Sequence, residues 1–144
     1  MSSTNPDDAI AAYIASSSPG PSLGTLGATI FTGPVRPPAP PEVPHAGIFV
    51  LSTGGPPPDD YFAWNVGQPS IYRGNVQVRV RSNADDYTDG LATARAVRNK
   101  LHLATLDLTG QVGCRATNAE PIYLGRDDTE HHEFSVNFTV WWEK

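Results

Sequence analysis

The sequence predicts an α+β fold, with strands on both sides of one long helix and a short helix near the start of the chain. Two segments, residues 76–81 and 134–142, alternate apolar and polar side chains as half-buried strands do. Between them, residues 85–103 repeat apolar positions at three- and four-residue steps, which is typical of an amphipathic helix. These three observations together indicate the fold class.

The length and composition indicate one domain, residues 1–144, with a single core. A chain of 144 residues is too short for two ordinary domains, and 39% of its residues are hydrophobic. The net charge of −5 argues against a dedicated nucleic-acid binder, which normally carries a basic face. Residues 1–8 lack the basic region of a signal peptide, and every apolar run is shorter than a membrane span. We therefore expect a soluble, unexported protein that binds no membrane.

The front half is predicted to contain a helix and two short strands. In residues 7–15, Ile10 and Ile14 fall on one helical side and Asp7 favours the helix start. Residues 25–32 alternate as a strand, and residues 48–51 form an apolar run of strand length. Between these strands, residues 34–44 contain six prolines, which cannot form a continuous strand ladder. We expect this segment to be an extended loop or arm.

The back half is predicted to contain the long helix and the remaining strands. Ser82 or Asn83 can cap the helix over residues 85–103. Residues 112–116 alternate as a strand, and residues 118–128 are expected to form its extension and a connecting loop. The inward positions of these elements define the predicted core: Val76, Val78, Val80, Leu91, Val97, Leu101, Phe134, Val136, Phe138 and Val140.

The common catalytic motifs of nucleotide-binding, serine-hydrolase and zinc-protease families do not occur in the sequence. The strongest metal candidate is His131 with Glu133, which a strand places on one face, but a third ligand would have to come from elsewhere. Four Asp-Asp pairs, at 7–8, 59–60, 85–86 and 127–128, adjoin helix starts or turns, where capping and solubility explain them. Cys114 occupies an inward strand position and is interpreted as a core residue. We therefore predict no catalytic, cofactor or metal site.

Three residues are candidates for contacts with other subunits. Arg79 and Arg81, with Arg73 nearby, lie on the polar side of a strand with one wet face. They fit three interpretations equally: contact with phosphate, contact with an acidic neighbouring subunit, and ordinary solvation. Trp141 lies on the polar side of the last strand, where a large aromatic side chain leaves an apolar patch unless another element or subunit covers it.

Two blocks of the sequence resemble the tail-terminator, or minor capsid, family of long-tailed bacteriophages. Residues 72–82 (YRGNVQVRVRS), followed by an acidic-aromatic turn at 85–87 and an alanine-rich helix, look like the central block of that family. Residues 121–127 (PIYLGRD) and 133–138 (EFSVNF) are similar to its closing hairpin. The resemblance covers about residues 46–142, and its specificity comes from the order and spacing of the blocks.

The resemblance implies a mixed, mostly antiparallel sheet and a structural protein that is not an enzyme and needs no cofactor. It implies a homo-oligomeric ring, a hexamer in relatives, that caps the tail tube at the head-proximal end of the virion. Its implied partners are the major tail tube protein and the head-tail connector, with DNA passing through the lumen without specific contacts. Assembly is expected in the host cytoplasm.

Two alternatives remain open from the sequence. One is a neighbouring connector or tail-completion protein, which shares the size, the acidity and the absence of catalytic motifs. The other is a small metal-dependent hydrolase or ligand-binding domain that uses His131, Glu133 and an Asp pair, which metal analysis of the purified protein would test.

Overall fold

A computed structural model describes residues 5–17, 20–27, 29–33, 46–55, 59–60, 70–126 and 130–143. This part of the chain contains two helices and seven strands, which confirms the α+β class. The elements in chain order are α1 (Pro6–Ala15), β1 (Ile30–Thr32), β2 (Gly47–Ser52), β3 (Asp59–Asp60), β4 (Ser70–Ala84), α2 (Tyr87–Leu101), β5 (Gln111–Ala116), β6 (Ile122–Arg126) and β7 (His131–Glu143). The predicted arm at residues 34–44 lies outside the described residues.

The strands form one mixed sheet in the order β1-β2-β4-β7-β5. Only the β1–β2 pair is parallel among the strand pairs in the described ranges. Strand β3 adds to β4 beside β2, and β6 adds to β7 beside β5. The long strands β4 and β7 therefore form the centre of the sheet, with β1 at one edge and β5 and β6 at the other.

The core lies between one face of this sheet and the two helices. The predicted inward positions of β4 and β7 are confirmed, since each of these valines and phenylalanines is at most 2% exposed. Val97 and Leu101 of α2 are also fully buried, whereas Leu91 is only partly buried at the margin of the core. The alternation of the two strands was thus assigned to the correct faces.

Helix α2 begins two residues later than predicted, and its cap is Asp86. The Asp86 carboxylate accepts a hydrogen bond from the Asp89 backbone N–H (3.1 Å). Ser82 and Asn83 do not cap the helix because β4 continues past them to Ala84, which pairs with His131. The prediction of Ser82 or Asn83 as the cap is therefore wrong. The helix is also two residues shorter at each end than the predicted range of 85–103.

Close packing of α2 on the sheet depends on Gly90. A Cβ atom at Gly90 would lie 2.7 Å from Ser82 Cβ and 2.8 Å from a ring carbon of Phe134. These distances are shorter than real Cβ contacts, so a larger residue would push the helix away from β4 and β7. The missing side chain at Gly90 therefore lets α2 approach the sheet closely.

Helix α1 forms over residues 6–15, close to the predicted bounds, and covers the β1–β2 side of the same sheet face. Its buried residues are Ala9, Ile10, Ala11 and Ile14. Lys100 joins the two helices, because its ammonium group donates hydrogen bonds to the carbonyl oxygens of Ser16 (2.5 Å) and Pro21 (2.8 Å). The helices therefore form one layer.

Two predicted segments differ from the structure. The strand expected over residues 25–32 is reduced to β1, because Thr25 and Gly27 make turn hydrogen bonds with Ile30 and leave Leu26 52% exposed. Residues 118–128, expected to form the extension of the preceding strand and a connecting loop, contain a separate strand, β6, which pairs with β7 through a register shift between Tyr123 and Gly125.

Candidate subunit interface

The sheet face opposite the helices carries most of the polar side chains of the central strands. We call it the outer face, and its residues on β4 and β7 are Arg73, Asn75, Gln77, Arg79, Arg81, Glu133, Ser135, Asn137, Thr139 and Trp141. Alternation along the two strands puts these residues together, because opposite partners in an antiparallel pair share a face. The two long strands therefore place polar side chains on the side away from the core, although Arg81 and Ser135 among them are buried.

Amide side chains link the centre of the outer face into one hydrogen-bonded row. The Arg79 guanidinium donates through Nε to Gln77 Oε1 (3.0 Å), and Gln77 Nε2 donates to Asn137 Oδ1 (3.3 Å). Asn137 Nδ2 in turn donates to Asn118 Oδ1 (3.1 Å), beyond the end of β5. Such a row restricts side-chain rotation, so the face presents fixed donors and acceptors.

The outer face carries an excess of positive charge. Arg73, Arg79 and Arg81 come from β4, and Arg115 joins them from β5, where it pairs with Thr139. Two glutamates lie on the same face, Glu133 across from Arg81 and Glu143 across from Ile71. Since the whole chain has a net charge of −5, the rest of the surface is more acidic than the chain as a whole.

The arginines differ in burial. Arg81 is only 3% exposed, Arg73 and Arg79 are half-buried, and Arg115 is exposed. The prediction of a wet strand face is therefore wrong for Arg81. A buried guanidinium requires an opposite charge or acceptors around it, and the register places Glu133 directly across from it.

Trp141 of β7 is half-buried on the outer face, where its partner on β4 is Arg73. A Cβ atom at Gly113 of β5 would lie 3.7 Å from the indole ring, so the backbone of β5 passes close beside it. Trp142, on the other face, stacks on Tyr72 with ring centroids 5.8 Å apart. The alternation thus sends the two tryptophans to opposite sides of the sheet, as predicted from the sequence.

The sequence matches the family described as bacteriophage tail terminator proteins over residues 22–143. The chain belongs to this family. The matched range includes every strand and the helix α2, so it spans the whole sheet and therefore the outer face. Members of the tail terminator family are structural proteins of phage tails, and the protein is assigned to that class.

A solved structure is similar to this chain at the level of the fold. A chain from the virion of a native gene transfer agent particle is similar with a TM-score of 0.51 and 20% sequence identity. The similarity covers 96% of this chain and 87% of that chain. At this identity the similarity concerns the fold alone. No curated protein sequence matches the chain.

The residues considered for chemistry in the sequence have structural roles where the structure describes them. His131 is buried with its Nδ1 2.7 Å from the Ser82 carbonyl oxygen, and His132 Nδ1 lies 2.8 Å from the Tyr123 hydroxyl. Within the described ranges no three His, Cys, Asp or Glu side chains are grouped to hold a metal ion. Asp86 caps α2, and Asp7 and Asp8 lie in the first turn of α1.

Two further properties complete the description of this tail terminator domain. Burial raises the pKa of the Cys114 thiol to about 12, as expected for a core cysteine. In the part of the chain that the structure describes, neither helix has the length and apolar character to cross a membrane.

Sequence analysis missed two contributors to the outer face. Arg115 was not considered, although the inward positions Cys114 and Ala116 already imply that it points outward. Asn118 was missed for a different reason, because it follows the end of β5 and its contact with Asn137 depends on the pairing of β5 with β7.

Proposed function

We propose that this tail terminator family member assembles into a homo-oligomeric ring, hexameric as in the resemblance noted above, that ends the tail tube and joins it to the head connector. The observation that carries the proposal is the family match over residues 22–143. The ring would lie at the head-proximal end of the tail, after assembly in the host cytoplasm. It needs no catalytic centre, because a ring of this kind acts by binding its partners.

The outer face supports the ring, because it is the polar, fixed and positively charged surface of an otherwise acidic chain. A closed ring is built from heterologous contacts, so each copy needs two different complementary patches. We assign one patch to the outer face around Arg79 and Trp141, which are half-buried, and the other to the acidic surface of the next copy. Arg81 is buried within the monomer and is not assigned to the patch. Complementary charges would also fix the direction in which copies join.

The role at the end of the tube follows from how a tube grows. Subunits that stack head to tail regenerate the same binding surface at each step, so the geometry of the tube does not stop its own elongation. A cap must match the last ring of tube protein on one side and present a different surface on the other, where the connector docks. DNA then passes through the lumen of the ring without sequence-specific contacts.

A phage that lacks this gene tests the proposal. We expect overlong, irregular tail tubes together with filled heads that carry no tails, counted by electron microscopy. Adding purified protein to the mutant lysate should let some heads and tails join. The control is the same lysate with added protein that has been heat-denatured.

The opposite outcome would be tails of normal length in the absence of the protein. If those tails attach to heads, the terminator role is wrong. If they have normal length but fail to attach, the neighbouring connector or tail-completion role replaces it.

A further inference from the structure

Two exposed tyrosines form a patch where α2 begins beside the edge strand β6. We call Tyr87, Tyr123 and His132 the tyrosine patch. The Tyr87 and Tyr123 rings meet edge to face with centroids 5.3 Å apart, and the His132 ring lies 5.5 Å from Tyr87 and 5.8 Å from Tyr123. Tyr87 and Tyr123 nevertheless remain 43% and 45% exposed. The patch therefore offers aromatic surface to a partner.

The tyrosine patch is held in place from below. Phe134 is fully buried, and its ring lies 5.4 Å from both tyrosine rings. The Tyr123 hydroxyl is 2.8 Å from His132 Nδ1, and this hydrogen bond fixes the Tyr123 ring against β7. A rigid aromatic surface with a polar rim loses little conformational entropy when a ligand binds.

The shape of the edge disfavours addition of a further strand beside the patch. The register shift between Tyr123 and Gly125 leaves Leu124 without a partner on β7, and Gly125 has a φ of 109°. Such bulges bend an edge strand and prevent it from acting as a template. A ligand that packs on ring faces fits this site better than one that extends the sheet.

Acidic residues adjoin the patch at the start of α2. Asp85 and Asp86 precede Tyr87, and Asp89 lies in the same first helical turn. Arg126 pairs with Asp85 (3.5 Å) and Glu130 (2.9 Å), which offsets part of this charge. Exposed aromatic rings beside acidic groups suit a proline-rich segment with a basic residue, because proline rings pack on aromatic faces and the cation pairs with a carboxylate.

The chain itself contains a segment with this chemistry. Residues 34–44 include Pro37, Pro38, Pro40 and Pro41, which give two overlapping P-x-x-P spacings, and Arg36 precedes them directly. We infer that the tyrosine patch binds the proline-rich segment of a neighbouring copy. The inference adds a contact to the assembly in the proposed function and rests on its premise that copies associate.

Reach favours a neighbouring copy over the same chain. The segment follows β1, at the edge of the sheet opposite β6, and four strand spacings of about 4.8 Å separate them by about 19 Å. Residues 34–45 span at most about 37 Å as polyproline helix, at about 3.1 Å per residue. To reach the patch of its own chain and return to β2, the segment would have to cross the sheet twice, which takes about that whole length. It would also have to run the length of a strand, because β1 and β2 are parallel.

Binding is tested with a labelled peptide of residues 33–46 and the full chain in which Pro37, Pro38, Pro40 and Pro41 are replaced by serine, so that its own segment does not compete. Fluorescence anisotropy should show saturable binding to this protein. Adding Tyr123→Ser should weaken binding by about tenfold or more, since tyrosines are common anchors of interfaces. Leu26→Ser, at an exposed apolar residue on the opposite edge of the sheet, should leave binding unchanged.

Self-association is the second readout. The four-serine chain should form fewer oligomers than the wild type by light scattering, with an unchanged melting temperature. Absence of peptide binding, or binding that Tyr123→Ser leaves intact, would overturn the inference. Peptide binding with unchanged self-association would mean that the segment binds its own chain, which also overturns it. Rings that form normally in the four-serine chain remove this contact but leave the terminator role to the gene-deletion test.

Discussion

At the scale of single residues, the burial of Cys114 makes the stability of the protein depend on pH. It is 2% exposed on β5, and burial raises the pKa of its thiol from 9.0 to about 12. In the unfolded chain the thiol ionises near its ordinary pKa, whereas in the folded protein it stays protonated. The folded state therefore binds one more proton between pH 9 and 12, and stability falls as pH rises through this window.

The corresponding variant is Cys114→Ala, which removes the titrating group. We expect the unfolding free energy of the wild type to fall, relative to that of the variant, by about 2–3 kcal/mol between pH 9 and 11. Urea titrations of both proteins at several pH values measure this difference. Parallel pH profiles would show that the thiol is accessible to water in the folded state.

At the scale of elements, β7 is the strand on which the sheet depends. It pairs with β4 along almost its full length and with both β5 and β6 on its other side. Its inward residues Phe134, Val136, Phe138 and Val140 are fully buried against the helices. Damage to this strand therefore affects three pairings and the core at once.

Phe138→Ala is expected to lower the unfolding free energy by about 3–5 kcal/mol, because it removes a fully buried ring between Val76 and Ala116. Thr139→Ala, the next residue on the outer face, removes one exposed hydrogen bond to Asn75 (3.3 Å) and should change stability by about 1 kcal/mol or less. Thermal unfolding of both variants measures the contrast. A soluble Phe138→Ala protein with an unchanged melting temperature would contradict the assignment of this face to the core.

The elements that could be predicted from the sequence are those with a long local repeat. Alternation over nine residues assigned β7, and four helical turns assigned α2, because side-chain periodicity is a property of the segment itself. The cap of α2 was placed wrongly because β4 continues through Ser82 to pair with β7, which is a tertiary effect. Strand β6 was expected to be part of a strand extension and connecting loop because Pro121 precedes it and Gly125 lies within it, and its pairing with β7 compensates for its weak local pattern.

Prediction of the candidate interface depended on the same difference between local periodicity and tertiary contacts. Arg79 and Trp141 could be placed on one face from alternation alone, and the register confirms that they share it. The burial of Arg81 could not be predicted, because it depends on which element covers the outer face and on Glu133 lying opposite.

At the scale of the whole molecule, the outer face is expected to join copies. Reversing the charge of both Arg79 and Arg81 should abolish ring formation. Arg81 is buried, so its reversal would also place an uncompensated carboxylate inside the monomer. Arg79→Glu alone is therefore the more informative change.

The purified Arg79→Glu protein should form no rings in negative-stain micrographs, while its melting temperature stays close to that of the wild type. Arg95→Glu makes the same charge change on α2, where Arg95 forms an exposed ion pair with Glu120 (2.9 Å), and should leave rings intact because such pairs contribute little. Intact rings of the Arg79→Glu protein would exclude the interface role of Arg79.

The central place of β7 also affects how the protein is made. The β4 residues that pair with β7 lie about 60 positions before their partners, as Gln77 and Asn137 show. A ribosome that adds about 5–20 residues per second needs roughly 3–12 s to bridge that gap. During this time the valines of β4 have no partner strand on that side, so apolar surface that favours aggregation stays exposed until β7 emerges, and slower synthesis lengthens that exposure.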